Sequence, residues 1–231
     1  SQARELLMAY PVLTGMRGVL EAFELSWQTL PEAVREVACW LSLFALAPIP
    51  WEVAASTVDE AEEEDFEDSR DVLLNRSLLR RVEVGTYQLH QLVREYFLAK
   101  LAQREDADAL RRTYCQMMVA LAKQVPSSPT RELLLRLTPV IPHIAEVTTS
   151  WQAWLSDEDE ELVWPFIAMA RFYNGQGAYI KAEPWCANCL KTTQNRLGEE
   201  HPAVATSLNN LAHLYASQDL GRAHDRNKVT Q

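Results

Sequence analysis

At 231 residues the chain is long enough for one or two domains with real cores. Its hydrophobic content of 48% with only 7 Gly suits a helix-rich globular protein rather than a disordered one. A formal net charge of −10 argues against general nucleic-acid binding, which needs a basic surface to neutralise phosphates.

No apolar run approaches the roughly 18–20 residues of a membrane span, and the first residues lack a signal peptide's apolar core. The 4 scattered Cys are too few for a disulfide framework, so a reduced, cytoplasmic setting is expected. The chain opens on Ser1 without Met, which suggests a piece of something longer.

Residues 1–16 read as a short helix stopped by Pro11, then a loop. Apolar residues at Val19, Leu20, Phe23, Leu25 and Trp27 mark a helix before Pro31. The next helix, Glu32 to about Ala45, is apolar almost all round and should be buried. Pro48 and Pro50 bracket Ile49 in a short extended link, and Trp51–Val58 should be helical again. The run DEAEEEDFED, residues 59–68, is expected to be a solvated, locally mobile surface segment. It lacks the alternating D-x-D-x-D-G loop that would aim oxygens at a metal.

The stretch from Val72 to Leu101 organises the first half. Val72, Leu73, Leu74, Leu78 and Leu79 recur at helical spacing. Two β-prone pieces follow, Arg81–Val84 and Tyr87–His90, hinged on Gly85-Thr86. A second amphipathic helix then carries Leu92, Val93, Tyr96, Phe97 and Leu101 on one face. Helix, hairpin, helix is the layout of a winged helix.

Further on, Ala107 to Lys123 is strongly helical, PSSP at 126–129 breaks it, and Thr130 caps a helix from Arg131 to Leu137. Pro139 and Pro142 punctuate the next segment, which continues to about Val147 and is followed by a Trp-rich piece, Trp151–Leu155. The acidic run Asp157–Glu161 could cap a helix starting near Leu162.

From Leu162 onward the sequence repeats at a spacing of 42: Ala170 with Ala212, Tyr173 with Tyr215, Gln176 with Gln218. Small Ala at a close helix crossing, with Tyr three residues on, packs two antiparallel helices. The linker LGEEHP at 197–202 supplies a stop at Gly198 and a start at Pro202. This segment, about 160–218, resembles tetratricopeptide repeats of the kinesin-light-chain type, whose linker commonly reads L-G-x-x-H-P. The pattern departs after Gln218, where Asp219 replaces the usual Gly, so the array is expected to be incomplete. The resemblance implies a concave groove for a protein or peptide ligand, with Asn210, and to a lesser degree Asn209, at positions where a carboxamide can clamp a peptide backbone.

The first hundred residues also have a family likeness. The LS-x-x-x-LP start, the Leu/Phe-rich helix with its Pro-rich exit and the Leu-His-x-Leu-Val-Arg-Glu ending resemble the C-terminal winged-helix part of NB-ARC (STAND-type) signalling NTPases. That family carries a Met-His-Asp signature whose His reaches the β-phosphate of ADP, and the matching residues here are Leu89, His90 and Gln91. The resemblance implies nucleotide sensing by His90, with ADP or ATP and Mg held by an upstream nucleotide-binding domain in cis. No G-x-x-x-x-G-K-[ST] loop occurs in this chain, so no cofactor is expected on the piece itself and it is not expected to be an enzyme.

The sequence opposes two other chemistries. The C-x-x-C of WCANC at 185–189 falls within a repeat helix rather than between strand and helix, which argues against redox or zinc chemistry. DNA binding through Arg76, Arg80 and Arg81 is opposed by the acidic run just before them. The resulting expectation is a mainly α chain: a winged-helix domain with a small β-hairpin over 1–104, a helical connector over 105–160 and an α-solenoid of tetratricopeptide repeats over 161–231. Its function would be that of the regulatory, ligand-sensing part of an NTP-switched signalling protein. A protein–protein scaffold without nucleotide control and a DNA-binding regulator are the alternatives.

Overall fold

The computed structural model describes residues 17–156 and 159–229. The helix expected in residues 1–16, and Asp157 and Glu158 of the second acidic run, lie outside the described residues. Packing divides the chain into two compact units, one through Tyr114 and one from Cys115.

In the first unit α1 spans Arg17–Gln28 and α2 spans Glu32–Ser42. Arg35 of α2 reaches back to α1, donating from Nε to the Trp27 carbonyl and from Nη2 to the Gln28 carbonyl, each at 3.1 Å. Carbonyls at a helix end lack intrahelical donors, so the guanidinium acts as a cap supplied by the next helix. As the apolar pattern requires, α2 buries Val34, Val37, Ala38, Cys39, Trp40 and Leu41.

The link after α2 forms a two-residue strand, β1 (Ile49–Pro50), and α3 (Trp51–Ala55) follows at once, ending short of Val58. The next helix corrects the reading of the acidic run. The run is exposed apart from Phe66 and the half-buried Glu67, as a solvated segment should be, but its second half opens α4 (Glu63–Asn75). Glu63, Glu64 and Asp65 in the first turn face the positive end of the helix dipole, while Phe66, Ser69 and Leu73 are buried at helical spacing. Phe66 packs on Trp51 with ring centroids 4.7 Å apart, and Trp51 Nε1 donates to Glu67 Oε1 at 2.6 Å. Leu78 and Leu79 are likewise not helical. The chain leaves α4 at Asn75, Ser77 adopts a left-handed φ of 56°, and the two leucines are buried on the way into the sheet.

The hairpin is β2 (Arg80–Glu83) and β3 (Thr86–Gln88), turning on Val84-Gly85 with Gly85 at φ 69°. A two-residue turn of this kind needs positive φ, which glycine adopts without a Cβ penalty. The antiparallel sheet runs β1-β3-β2, with Ile49 paired to Tyr87 and Arg81 to Tyr87. The Trp51 amide donates to the Gly85 carbonyl at 2.8 Å, so the start of α3 is tied to the hairpin tip.

After the hairpin, α5 (Gln91–Leu101) packs on α2 and α1 and buries Val93, Tyr96, Phe97 and Leu101. It also carries a buried cation. Lys100 Nζ and Tyr96 Oη both donate to Glu24 Oε2 of α1 at 2.8 Å, and Lys100 lies over the rings of Trp27 and Tyr96 at 5.7 and 5.3 Å.

The division between units falls inside α6 (Ala107–Lys123), whose Tyr114 packs edge-on against Trp40 and Phe44 of the first unit. In the second unit α7 spans Arg131–Leu137, with the Thr130 hydroxyl accepting from the Leu133 amide at 3.3 Å as a cap. Then come α8 (Ile141–Thr149), a 3-10 turn at Gln152–Trp154, α9 (Asp159–Gly175), α10 (Tyr179–Leu197) and α11 (Pro202–Val229). Short links make consecutive packed helices antiparallel. One cluster joins Val163, Phe166, Cys189 and Ala203; another joins Ala170, Ala182, Cys186 and Leu214. The fold is therefore mainly α, with a small sheet and tetratricopeptide-like helix pairs.

The two copies of the repeat are not equivalent. Ala170 is buried against α10, whereas Ala212 is exposed and Tyr215 is 44% exposed, on a helix that continues unbroken past Gln218. Among the described residues no further helix follows α11. Gly175 closes α9 where Pro129 approaches: a Cβ there would sit 2.5 Å from the proline Cγ.

Candidate functional site

Residues of α9, α10 and α11 surround a cleft of about 160 Å³. Asn210, half-buried, lines it together with Arg171, Asn174, Ser207 and His213. Asn209 is exposed and is not among the lining residues. The two asparagines singled out in the sequence are thus separated by the helical turn: one faces the cleft and its neighbour does not. Asn174, Arg171 and His213 were not singled out, although the repeat spacing held a signal. Arg171 and His213 occupy the same position in the two copies, each directly after the repeat's small Ala. Arg171 Nη1 donates to the Val125 carbonyl at 2.9 Å and its guanidinium stacks 5.1 Å from the Trp164 ring, so the side chain is held in place.

Cys186 and Cys189 also line this cleft. Burial pushes the Cys186 thiol up to about 11 and raises that of Cys189 as well. A thiol that stays protonated at neutral pH is a poor nucleophile and a poor metal ligand. Cys189 Sγ lies 3.4 Å from Ser207 Oγ, a packing contact between α10 and α11. Among the described residues no three His, Cys, Asp or Glu side chains group as metal ligands.

His90 sits at the N-terminus of α5, exposed, with its Nδ1 accepting from the Leu92 amide at 3.3 Å. Because Nδ1 accepts, Nε2 carries the ring hydrogen of the neutral imidazole and is the atom left to donate outward. The ring is oriented by its own helix, which is how it is held with Gln91 in the place of an acidic neighbour. His201 repeats the device at the start of α11, where its Nδ1 accepts from the Ala203 amide at 3.3 Å.

The arginines of the DNA reading are engaged within the first unit. Arg76 Nη1 donates to Thr29 Oγ1 at 3.0 Å, Arg80 Nη2 to Gln88 Oε1 at 2.9 Å, and Arg81 stacks 5.6 Å from the Tyr87 ring. The helix before the hairpin, α4, carries six carboxylates, Glu63, Glu64, Asp65, Glu67, Asp68 and Asp71, against Arg70 within it and the capping Arg76. That face repels phosphate. Among the described residues no helix is long and apolar enough to cross a membrane.

No curated protein and no solved structure matches the chain. Tetratricopeptide repeats are generally interaction modules rather than catalysts, and residues 162–229, which form α9 to α11, match the tetratricopeptide repeat family.

Proposed function

We propose that this chain is the regulatory, ligand-sensing part of an NTP-switched signalling protein, in which the repeats capture an extended protein or peptide segment at the Asn210 cleft. The observation that carries the binding half is the cleft itself. Asn174, Arg171, Asn210 and His213 put amide, guanidinium and imidazole groups from two helices around one concavity. The two carboxamides can both donate to and accept from a peptide backbone, and the guanidinium adds donors alone. Selection from a random peptide library on the whole chain, repeated with Asn210→Ala, tests it. Peptides that bind the unaltered chain and lose about tenfold in affinity with the variant support the site; selection of the same peptides by both chains removes it.

In the same proposal the first unit is a winged helix: α2, α3 and α4, with β1 joined to the β2–β3 hairpin, support that reading. It would close over ADP held by an upstream nucleotide-binding domain, His90 Nε2 donating to the β-phosphate. The helical segment of about residues 105–160 would act as the connector. Ligand capture shifts such a switch only when the ligand binds one state better than the other. His90→Ala in the full-length protein should accelerate ADP release, and an unchanged release rate would count against the sensing role. In the isolated chain the same substitution removes an N-cap and is expected to cost about 1 kcal/mol of stability.

A further inference from the structure

A second concavity lies on the other side of α10. It is a groove of about 1080 Å³, it faces α8 and the 3-10 turn, and it shares only Phe166 with the Asn210 cleft. Its composition is opposite to that of the chain as a whole. The protein carries a net charge of −10, yet among the described residues the groove is lined by Lys181, Lys191 and Arg196 and by no carboxylate. Arg196 is committed to the fold, donating to the Gln152 and Leu155 carbonyls at 2.8 Å. Lys181 and Lys191 are exposed, Lys181 lying 6.0 Å from the Tyr173 ring.

The spacing along α10 is regular. Lys181, Pro184, Asn188, Lys191 and Asn195 recur at intervals of three and four, which puts them on one stripe of the helix. Cations therefore alternate with carboxamides along the groove. Pro184 has no N–H, so the Ile180 carbonyl lacks its usual donor four residues on. Ile180 itself is 79% exposed at the same end, beside Pro184 and the half-buried Trp185. An apolar side chain in water next to a flanking ammonium group is suited to a peptide rather than to a small ion.

We propose that this groove receives an extended acidic segment of a partner protein, held by Lys181 and Lys191 and anchored by one apolar side chain beside Pro184 and Trp185. The ten residue steps from Lys181 to Lys191 rise about 15 Å along the helix. An extended chain covers that distance in about four to five residues. The matching segment therefore carries carboxylates four residues apart with an aliphatic side chain between them, while Asn188 and Asn195 bond its backbone.

The test is fluorescence anisotropy with the whole chain and a labelled peptide of sequence TETLTET, whose threonines favour the extended form. At 50 mM NaCl the peptide is expected to bind and to lose about tenfold in affinity with Lys191→Glu, with Lys181→Glu, and when its glutamates are replaced by glutamines. Raising the salt to 300 mM should weaken it further, since exposed ion pairs are screened. Asn210→Ala should leave binding unchanged, which separates this site from the cleft of the proposed function. Both lysines are exposed, so the variants should fold, and circular dichroism checks this. The proposal is overturned if the peptide fails to bind at 50 mM NaCl or if the glutamine peptide binds equally. It is likewise overturned if Lys191→Glu has no effect, if Asn210→Ala abolishes binding, or if a thymidine heptanucleotide displaces the peptide at equal concentration.

Discussion

The buried ion pair between α1 and α5 offers the sharpest energetic prediction. Lys100 keeps 7% of its side-chain surface and Glu24 keeps 26%. Replacing Glu24 by Gln removes the opposite charge and leaves the ammonium group inside with a neutral carboxamide and the faces of Trp27 and Tyr96. Breaking a fully buried pair costs about 3–5 kcal/mol. Because a quarter of Glu24 remains in water, we expect about 2 kcal/mol here. With a urea m-value of about 2 kcal/mol/M that is a midpoint shift of about 1 M, read by tryptophan fluorescence as unfolding of the first unit. The double variant Glu24→Gln/Lys100→Met should recover all but about 1 kcal/mol, since it removes the uncompensated charge as well as the pair. A single variant that costs less than about 0.5 kcal/mol, or a double variant no better than the single, would refute the reasoning.

The same pair predicts an acid dependence. Burial by itself would raise the Glu24 carboxyl, but the hydrogen bonds from Lys100 and Tyr96 outweigh it and hold the group below its ordinary value of 4.5. Below that value the unfolded chain takes up a proton before the folded one does. The contribution is therefore complete above about pH 5 and is lost as pH falls through the depressed folded value. The unaltered chain should lose stability between pH 5 and 3 more steeply than the Glu24→Gln variant.

Three further outcomes are expected. Gly175→Ala should lower the melting temperature, because a Cβ 2.5 Å from Pro129 Cγ costs about 1–3 kcal/mol, more than the ~1 kcal/mol that alanine gains in a helix; an equal or higher melting temperature would show that the 126–129 loop yields freely. Gly85→Ala should cost about 1 kcal/mol from its φ of 69° alone, since nothing lies within 4 Å of the new methyl, and a loss above ~3 kcal/mol would point to a contact unaccounted for. A disulfide reagent at pH 7.4 should find no fast thiol before denaturant is added, because burial pushes Cys39 and Cys115 up to about 12 and Cys186 to about 11; one rapidly reacting equivalent would contradict this.

What could be read from the sequence was what local chemistry decides. Thr130 before an apolar run, and Gly198 with Pro202 around a short link, mark helix ends by capping and φ preference, and the helices begin and end there. The acidic run was misread because its helix is held from a distance: Phe66 and Glu67 are positioned by Trp51, and no local pattern of charges announces that contact. Leu78 and Leu79 kept a helical spacing by coincidence, since burial in a chain entering a sheet imposes the same hydrophobicity. β1 was legible only as an extended link, because its partner Tyr87 lies far along the chain. At the cleft, Asn210 could be found by its repeat position, whereas Asn174 comes from the end of a different helix and has no counterpart of its kind 42 residues on.

The little sheet has two rims, and both are unsuited to recruiting further strands. On one side β1 is two residues long and ends in Pro50, which has no N–H to offer. On the other, β2 is four residues, interrupted by an irregularity between Arg81 and Glu83, and studded with Arg80, Arg81 and Glu83. An incoming chain would find few bonds to make and charges to bury. Fibril growth from this sheet should accordingly be suppressed even in concentrated solution, despite Val84 standing 97% exposed at the tip.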